Sequence, residues 1–271
     1  IVRLLAESSQ MKISIPKKLR NTGLIFAAID KFVANRFRGL LLRRIINKYQ
    51  PHILHALETQ GAGYISLVAL EKVSKRPYFI LTLWGSDLFW FRKFERHMVR
   101  LKCLLPLVDL LSMECDRDVE IARSLGFKGE VFPPFPVTGG YETVERVSDD
   151  AKTTTSARRV ILVKGHTRFV GRGTQALAAL SALAELLEEY EIVVYSADPK
   201  AKRFARKIRK QFEIKVSLYG RGELAHQDLL EVFESSRIYV GISLSDGISV
   251  SLQEAMVCGA FPIQTNTSCA D

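Results

Sequence analysis

The 271-residue chain has little cysteine, no long apolar run and no excess of acid over base. Its four cysteines, Cys103, Cys115, Cys258 and Cys269, are scattered and form no CxxC pair. That excludes a disulfide scaffold and a cysteine-based metal site, and it fits reduced thiols in a cytosolic core. No stretch of about 18 apolar residues occurs, so a transmembrane helix is not expected, and no signal-peptide pattern is visible. No internal repeat of fixed period is present, so the two halves share only an architecture. The chain begins Ile1-Val2-Arg3 without an initiator methionine and ends Cys269-Ala270-Asp271, just past a predicted strand. Both ends are therefore expected to be truncated.

What is present is the composition of an ordinary globular protein, with 47% hydrophobic residues and enough length for one large or two medium cores. The net charge of +10 is unevenly spread: residues 1–150 hold 23 Lys and Arg against 16 Asp and Glu, and the remainder hold 16 against 13. Attraction to anions thus falls mainly on the first half.

The second half alternates strand and helix patterns. Strands are predicted over 158–163, 192–196, 214–218, 237–242 and 261–265, with helices over 174–190, 199–212 and 224–235 between them. Such alternation implies a parallel, doubly wound sheet whose ligands sit at the carboxyl ends of the strands. The polar, aperiodic stretch 148–156 reads as a linker, which places the boundary between residues 1–150 and 151–271. In the first half, 53–57, 79–83, 108–113 and 129–132 read as strands separated by helical segments. That half is also α/β, with its opening strand apparently missing.

The densest signal runs from Ser245 to Ile263. A loop follows the strand at 237–242 and opens into a short helix in which Leu252, Ala255, Met256, Val257 and Cys258 make almost every face apolar, so the helix is expected to be buried. Glu254 is drawn inside with it. A buried carboxylate is costly unless donors meet it, and the hydroxyls of a sugar or ribose would serve as well as protein groups. Ser251-x-x-Glu254 equally fits a capping box, in which the glutamate satisfies an orphan amide at the helix start. Free amides at Gly247, Ile248 and Ser249 would suit a phosphate. Phosphate at the loop and hydroxyls at Glu254 together point to a nucleotide sugar.

Asp246-Gly247 followed by Glu254-Ala255-Met256-x-x-Gly259-x-x-Pro262 resembles the signature of the group 1 family of retaining glycosyltransferases, which have the two-domain GT-B fold. The family usually carries Glu, seven residues, Glu, where this chain has Asp246, seven residues, Glu254. The resemblance implies two Rossmann-like domains facing across a cleft, an acceptor domain first and a nucleotide-sugar domain second, the latter lacking its C-terminal helices. It implies that Glu254 binds the donor ribose and that Asp246 lies near the transferred sugar.

Three further loops fit that scheme. Lys164-Gly165-His166-Thr167-Arg168-Phe169-Val170-Gly171-Arg172-Gly173 combines glycines and cations at a strand-to-helix turn, a phosphate-binding composition that is also that of a solvated basic turn. The resemblance places Gly165-His166 and Arg172-Gly173 at the donor, with Arg172 gripping the diphosphate through a permanently charged fork. It places Gly220, in Tyr219-Gly220-Arg221-Gly222, beside the nucleotide base. In the first half, Trp84-Gly85-Ser86-Asp87 corresponds to a family segment, so Asp87 is a candidate contact to acceptor or sugar, although an Asx turn or helix cap explains it equally. His55 and Glu58, at another strand end, are weaker candidates, since a histidine there is commonly a satisfied structural group.

Asp116-Arg117-Asp118 imitates a DxD metal motif but opens a helical segment, where aspartates complement the dipole. The stretch 24–49 alternates aromatics and aliphatics with arginine and lysine, the pattern of a core helix with a solvated face or of a helix lying on an anionic membrane. Trp84, Phe89, Trp90, Phe91 and Phe94, interleaved with Arg92, Lys93 and Arg96, add to the second reading.

The expectation is a cytoplasmic hexosyltransferase, peripheral at most to the inner face of a membrane. It would use a nucleotide diphosphate sugar, a glycan or lipid-linked acceptor, no metal and no cofactor. Asp246, Arg172 and Asp87 are the catalytic candidates. An epimerase-like GT-B enzyme and a basic nucleic-acid-binding module are the alternatives; against the latter, the cations sit among apolar helical positions and no nucleic-acid motif appears.

Overall fold

The computed structural model describes residues 2–6, 9–11, 35–136 and 154–267. The chain divides into two compact units, Ile1–Val137 and Thr138–Asp271. The boundary expected at 150/151 lies outside the described residues.

The first unit contains, in order, β1 (Val2–Ala6), β2 (Ser9–Met11), α1 (Arg36–Tyr49), β3 (Ile53–Leu57), α2 (Tyr64–Leu70), β4 (Tyr78–Thr82), α3 (Ser86–Phe89), α4 (Glu95–Leu104), β5 (Leu110–Ser112), α5 (Asp116–Ser124) and β6 (Glu130–Val131). Its sheet runs β2-β1-β3-β4-β5-β6, parallel from β3 to β6. The parallel strands are short apolar runs because both faces are covered. Leu54, Phe79, Leu81 and Leu111 meet Ile46, Leu101 and Leu104 of the helices in one core. The β1-β2 hairpin was not predicted. It adds an antiparallel edge, with Leu4 opposite Leu54, where the sequence reading expected no strand before Ile53; Val2-Arg3-Leu4-Leu5-Ala6 has no period-2 alternation to announce it.

Of the helix expected over 24–49, the described part is α1, and residues 24–34 lie outside the described set. Gly39, Leu42 and Ile46 form its buried stripe, while Phe37, Leu40 and Leu41 are about half exposed, at 48%, 48% and 50%.

The second unit contains β7 (Val160–Lys164), α6 (Gly173–Ser181), β8 (Glu191–Tyr195), α7 (Pro199–Phe212), β9 (Lys215–Leu218), α8 (His226–Ser235), β10 (Ser236–Gly241), α9 (Val250–Val257) and β11 (Phe261–Gln264). Its sheet is parallel throughout, in the order β11-β10-β7-β8-β9. The switch point therefore lies between β7 and β10, the position where doubly wound sheets bind ligands. The helix predicted over 174–190 stops at Ser181 and resumes as a single tight turn, Ala184–Leu187; no glycine or proline marks that stop, so the periodicity overran it. By contrast, α7 matches its prediction, with Pro199 at its first position and Asp198 accepting from the amides of Lys200 and Ala201, each at 3.0 Å.

One expectation is corrected. The α9 helix is apolar all round in sequence but buried on one side only: Ser251, Leu252, Glu254 and Ala255 are inside, while Met256 and Val257 are 62% and 45% exposed. Cys103 and Cys258 are free thiols.

Candidate functional site

Glu254 separates the two readings of the signature helix. The helix starts at Val250 with Ser249 as its cap residue and no side-chain cap bond. Ser251 and Glu254 both lie inside it, so they form no capping box. The carboxylate points sideways instead: Oε1 lies 2.8 Å from Nε2 of His226, the first residue of α8. Glu254 is 6% exposed and His226 is 66% exposed, so a solvent-facing ring holds a buried acid.

Below this pair, the loops after β7 and β10 are stitched together at the switch point. The amide of Arg172 donates to the Ile242 carbonyl at 2.9 Å, the amide of Leu244 donates to Val170 at 2.8 Å, and Gly171 bridges Ser243. Within the β10 loop the hydroxyls of Ser243 and Ser245 are buried with no hydrogen-bond partner among the described residues. Asp246 is half-buried and accepts from the Gly247 amide at 3.1 Å. Gly247, Ile248 and Ser249 lead directly into α9.

Arg172 stands at the same junction. Its Nη1 donates to the main-chain carbonyls of Phe169 and Gly171 at 3.0 and 2.7 Å, which fixes the guanidinium on its own loop. Gly165 and Gly173 are required by close approach. A Cβ at Gly165 would lie 2.8 Å from Cα of Ala197, and one at Gly173 would lie 2.7 Å from the Lys164 carbonyl oxygen.

Beside the switch point, a cleft of about 340 Å³ opens at the carboxyl ends of β7, β8 and β9. His166 and Gly220, predicted from separate loops, both line it. So do Arg168, Asp198, Lys202, Arg221 and Glu223, which the sequence reading did not single out. Asp198 is a structural hub: besides capping α7 it accepts from the Thr167 amide at 2.9 Å and from the Thr167 hydroxyl. Burial works to raise its carboxyl, but these donors outweigh it and hold it below the usual carboxylate range. Glu223 accepts from the Gly220 amide and from Lys202 Nζ, and both hold its carboxyl low. Burial, then the nearby Lys164, lowers the His166 imidazole against the opposing pull of Asp198.

In the first unit, Asp87 is 3% exposed. Its Oδ1 accepts from the Thr59 amide at 2.6 Å and its Oδ2 from the Trp84 amide at 2.7 Å. Asp87 thus braces the loops after β3 and β4, each carboxylate oxygen accepting from one main-chain amide. Burial raises its carboxyl, and burial followed by the Asp87 charge raises Glu58. His55 Nε2 lies 2.8 Å from the Thr82 hydroxyl, the satisfied structural histidine anticipated. Asp116 and Asp118 sit in the first turn of α5, as the reading against a metal motif requires.

Residues 9–109 match the family model described as glycosyl transferase 4-like. Among solved structures, the α,α-trehalose-phosphate synthase (UDP-forming) from Burkholderia xenovorans in complex with glucose-6-phosphate is similar at 11% identity and TM-score 0.67, over 87% of this chain and 64% of that one. The E. coli trehalose-6-phosphate structure bound with UDP-2-fluoro glucose is similar at 13% identity and TM-score 0.66, over 88% and 64%. The chain has the GT-B glycosyltransferase fold. The TarM structure is similar at 14% identity and TM-score 0.55, over 79% of this chain and 41% of that one. A comparison with curated proteins finds no match. The resemblance read from Asp246 to Pro262 thus agrees with a glycosyltransferase family match in the other half of the chain.

Proposed function

We propose that this GT-B chain transfers a hexose from a nucleotide diphosphate sugar to a hydroxyl of a glycan or lipid-linked acceptor. Glu254 carries the proposal: a buried carboxylate on the helix after the switch-point strand, turned away from its own helix start and engaged by one imidazole. A ribose presents the paired hydroxyls that such a carboxylate recognises. The unpartnered hydroxyls of Ser243 and Ser245 and the amides of Gly247 to Ser249 supply donors for the diphosphate.

In the proposed reaction the acceptor oxygen bonds to the anomeric carbon as the bond from that carbon to the diphosphate oxygen breaks. The acceptor proton passes to the departing diphosphate. Arg172 and the loop amides stabilise the growing negative charge, which is electrostatic catalysis by prearranged donors and requires no metal. Asp246 lies at the sugar end of the same loop, and the resemblance implies retention at the anomeric carbon. His166 and Gly220 line the cleft assigned to the donor, and Gly165 and Gly173 let the adjoining main chain pack closely.

Among the described residues no helix is long and apolar enough to cross a membrane. Peripheral contact with an anionic membrane belongs to the same proposal, supported by Phe37, Leu40 and Leu41 exposed among the cations of α1. The test is turnover of UDP-, GDP- and ADP-hexoses with chelator present, read as nucleoside diphosphate release, with product configuration assigned by proton NMR. Donor-dependent release with the donor's anomeric configuration kept supports the reading. Release that needs added metal, or an inverted product, contradicts it.

A further inference from the structure

The α7 helix has no part in the donor site beyond its first turns, yet its charge is extreme. Between Pro199 and Phe212 it carries Lys200, Lys202, Arg203, Arg206, Lys207, Arg209 and Lys210 and no acid. Among the described residues only Lys202 is in an ion pair, with Glu223. The other six are exposed, and none forms an ion pair among the described residues. Ala201, Ala205 and Ile208 are buried, Phe204 packs partly against the same core, and the six cations stand on the outward side.

Between α6 and α7 runs a groove of about 370 Å³. Its walls are carbon from Ala178 and Phe204 and from the stems of Thr174 and Gln175, and Lys200, Arg203 and Lys207 stand along its edge. The α6 helix facing it, Gly173-Thr-Gln-Ala-Leu-Ala-Ala-Leu-Ser181, has no charged residue. Phe212, at the far end of α7, is 38% exposed. The acids of the neighbouring turn, Glu185, Glu188 and Glu189, lie beyond the end of α6, and Glu189 pairs with Arg159 at 3.4 Å.

We propose that the α6–α7 face of the second unit docks on an anionic lipid bilayer, with the cations of α7 on the headgroups and the groove receiving apolar lipid atoms. The argument is charge complementarity combined with an apolar slot. Long basic side chains lay their stems along apolar surface and keep their charges at the headgroup level, and an anionic leaflet attracts clustered lysines and arginines. A nucleic acid would satisfy the charges but not the carbon-lined groove, and Phe204, the aromatic ring of α7 between Lys200 and Lys210, is a half-buried wall of that groove rather than a ring presented for base stacking. The surface is distinct from α1, and the inference does not depend on the donor reading.

The test is co-sedimentation of the full chain with vesicles of phosphatidylcholine alone and of phosphatidylcholine with phosphatidylglycerol. The parent should bind only the anionic vesicles. Arg203→Glu/Lys207→Glu should weaken that binding on the order of a hundredfold, since each juxtamembrane cation contributes appreciably and reversal adds repulsion. Lys72→Glu/Lys75→Glu, exposed between α2 and β4, serves as the control and should retain most of it. Circular dichroism and thermal unfolding confirm that both variants fold. No anionic-vesicle binding by the parent, equal binding by the α7 variant, or equal loss in the α7 variant and the control would overturn the inference. So would duplex DNA displacing the chain from anionic vesicles at matched phosphate and salt.

Discussion

Nε2 of His226 lies 2.8 Å from Oε1 of Glu254, so the loop after β9, which ends in His226, is tied to the helix after the switch-point strand. Removing the ring strands a buried carboxylate. His226→Ala should lower the stability of the second unit by roughly 2 kcal/mol, in the range for losing a hydrogen bond to a charged group. His226→Gln, which keeps a donor, should recover much of it. Urea unfolding followed by Tyr fluorescence reads both; equal loss in the two variants would remove the hydrogen bond from the explanation.

Asp87 should behave as a structural rather than a chemical residue. Truncation to Ala leaves the buried amides of Thr59 and Trp84 without their acceptors, at a cost of roughly 2–5 kcal/mol for two unsatisfied donors. Asp87→Asn keeps one acceptor and should cost less. A variant as stable as the parent that loses turnover would restore Asp87 to the reacting centre.

Asp118 predicts a pH dependence of definite sign. Burial pushes its carboxyl up to about 6 against the opposing pull of Arg117, whereas the unfolded chain titrates it near about 3.9. Between those values the folded chain holds more proton, so stability falls as pH rises from about 4 to about 6, by roughly 3 kcal/mol in full. Burial moves Asp87 and Glu58 in the same direction. Asp118→Asn should flatten that part of the profile in a series of denaturant titrations, and an unchanged slope would assign it elsewhere.

Gly173→Ala should perturb the switch point through packing alone. Its Cβ would press on the Lys164 carbonyl oxygen at 2.7 Å, and main chain cannot swing aside as a side-chain tip can. A cost of roughly 1–3 kcal/mol is expected from such overpacking, with weaker donor binding because the loop carrying Arg172 must shift. Thermal unfolding and nucleotide titration check the two effects, and a neutral substitution would show that the loop yields.

Much of this was legible in the chain itself, for local reasons. Continuous apolar runs such as 161–163 and 192–195, separated by helical patterns, define a parallel sheet, and Asp198-Pro199 fixes the start of α7. The signature at Asp246 to Pro262 led to the fold. What escaped was set by distance along the chain. Glu254 and His226 are 28 residues apart, and nothing in either segment announces the pair. The brace at Asp87 escaped because its partners are main-chain amides, which no side-chain pattern encodes. Asp198, Lys202 and Glu223 read as ordinary surface charges until the sheet brought three loop ends together.

Calorimetric titration of UDP-, GDP- and ADP-hexoses into the parent chain and into Glu254→Ala tests the central claim most directly. One nucleotide class should bind the parent, and the variant should lose affinity for it by roughly ten- to a hundredfold, the range for a hydrogen bond to a charged group, while remaining folded. Equal affinity in the two proteins would leave Glu254 a buried structural acid and contradict the assignment of the donor site.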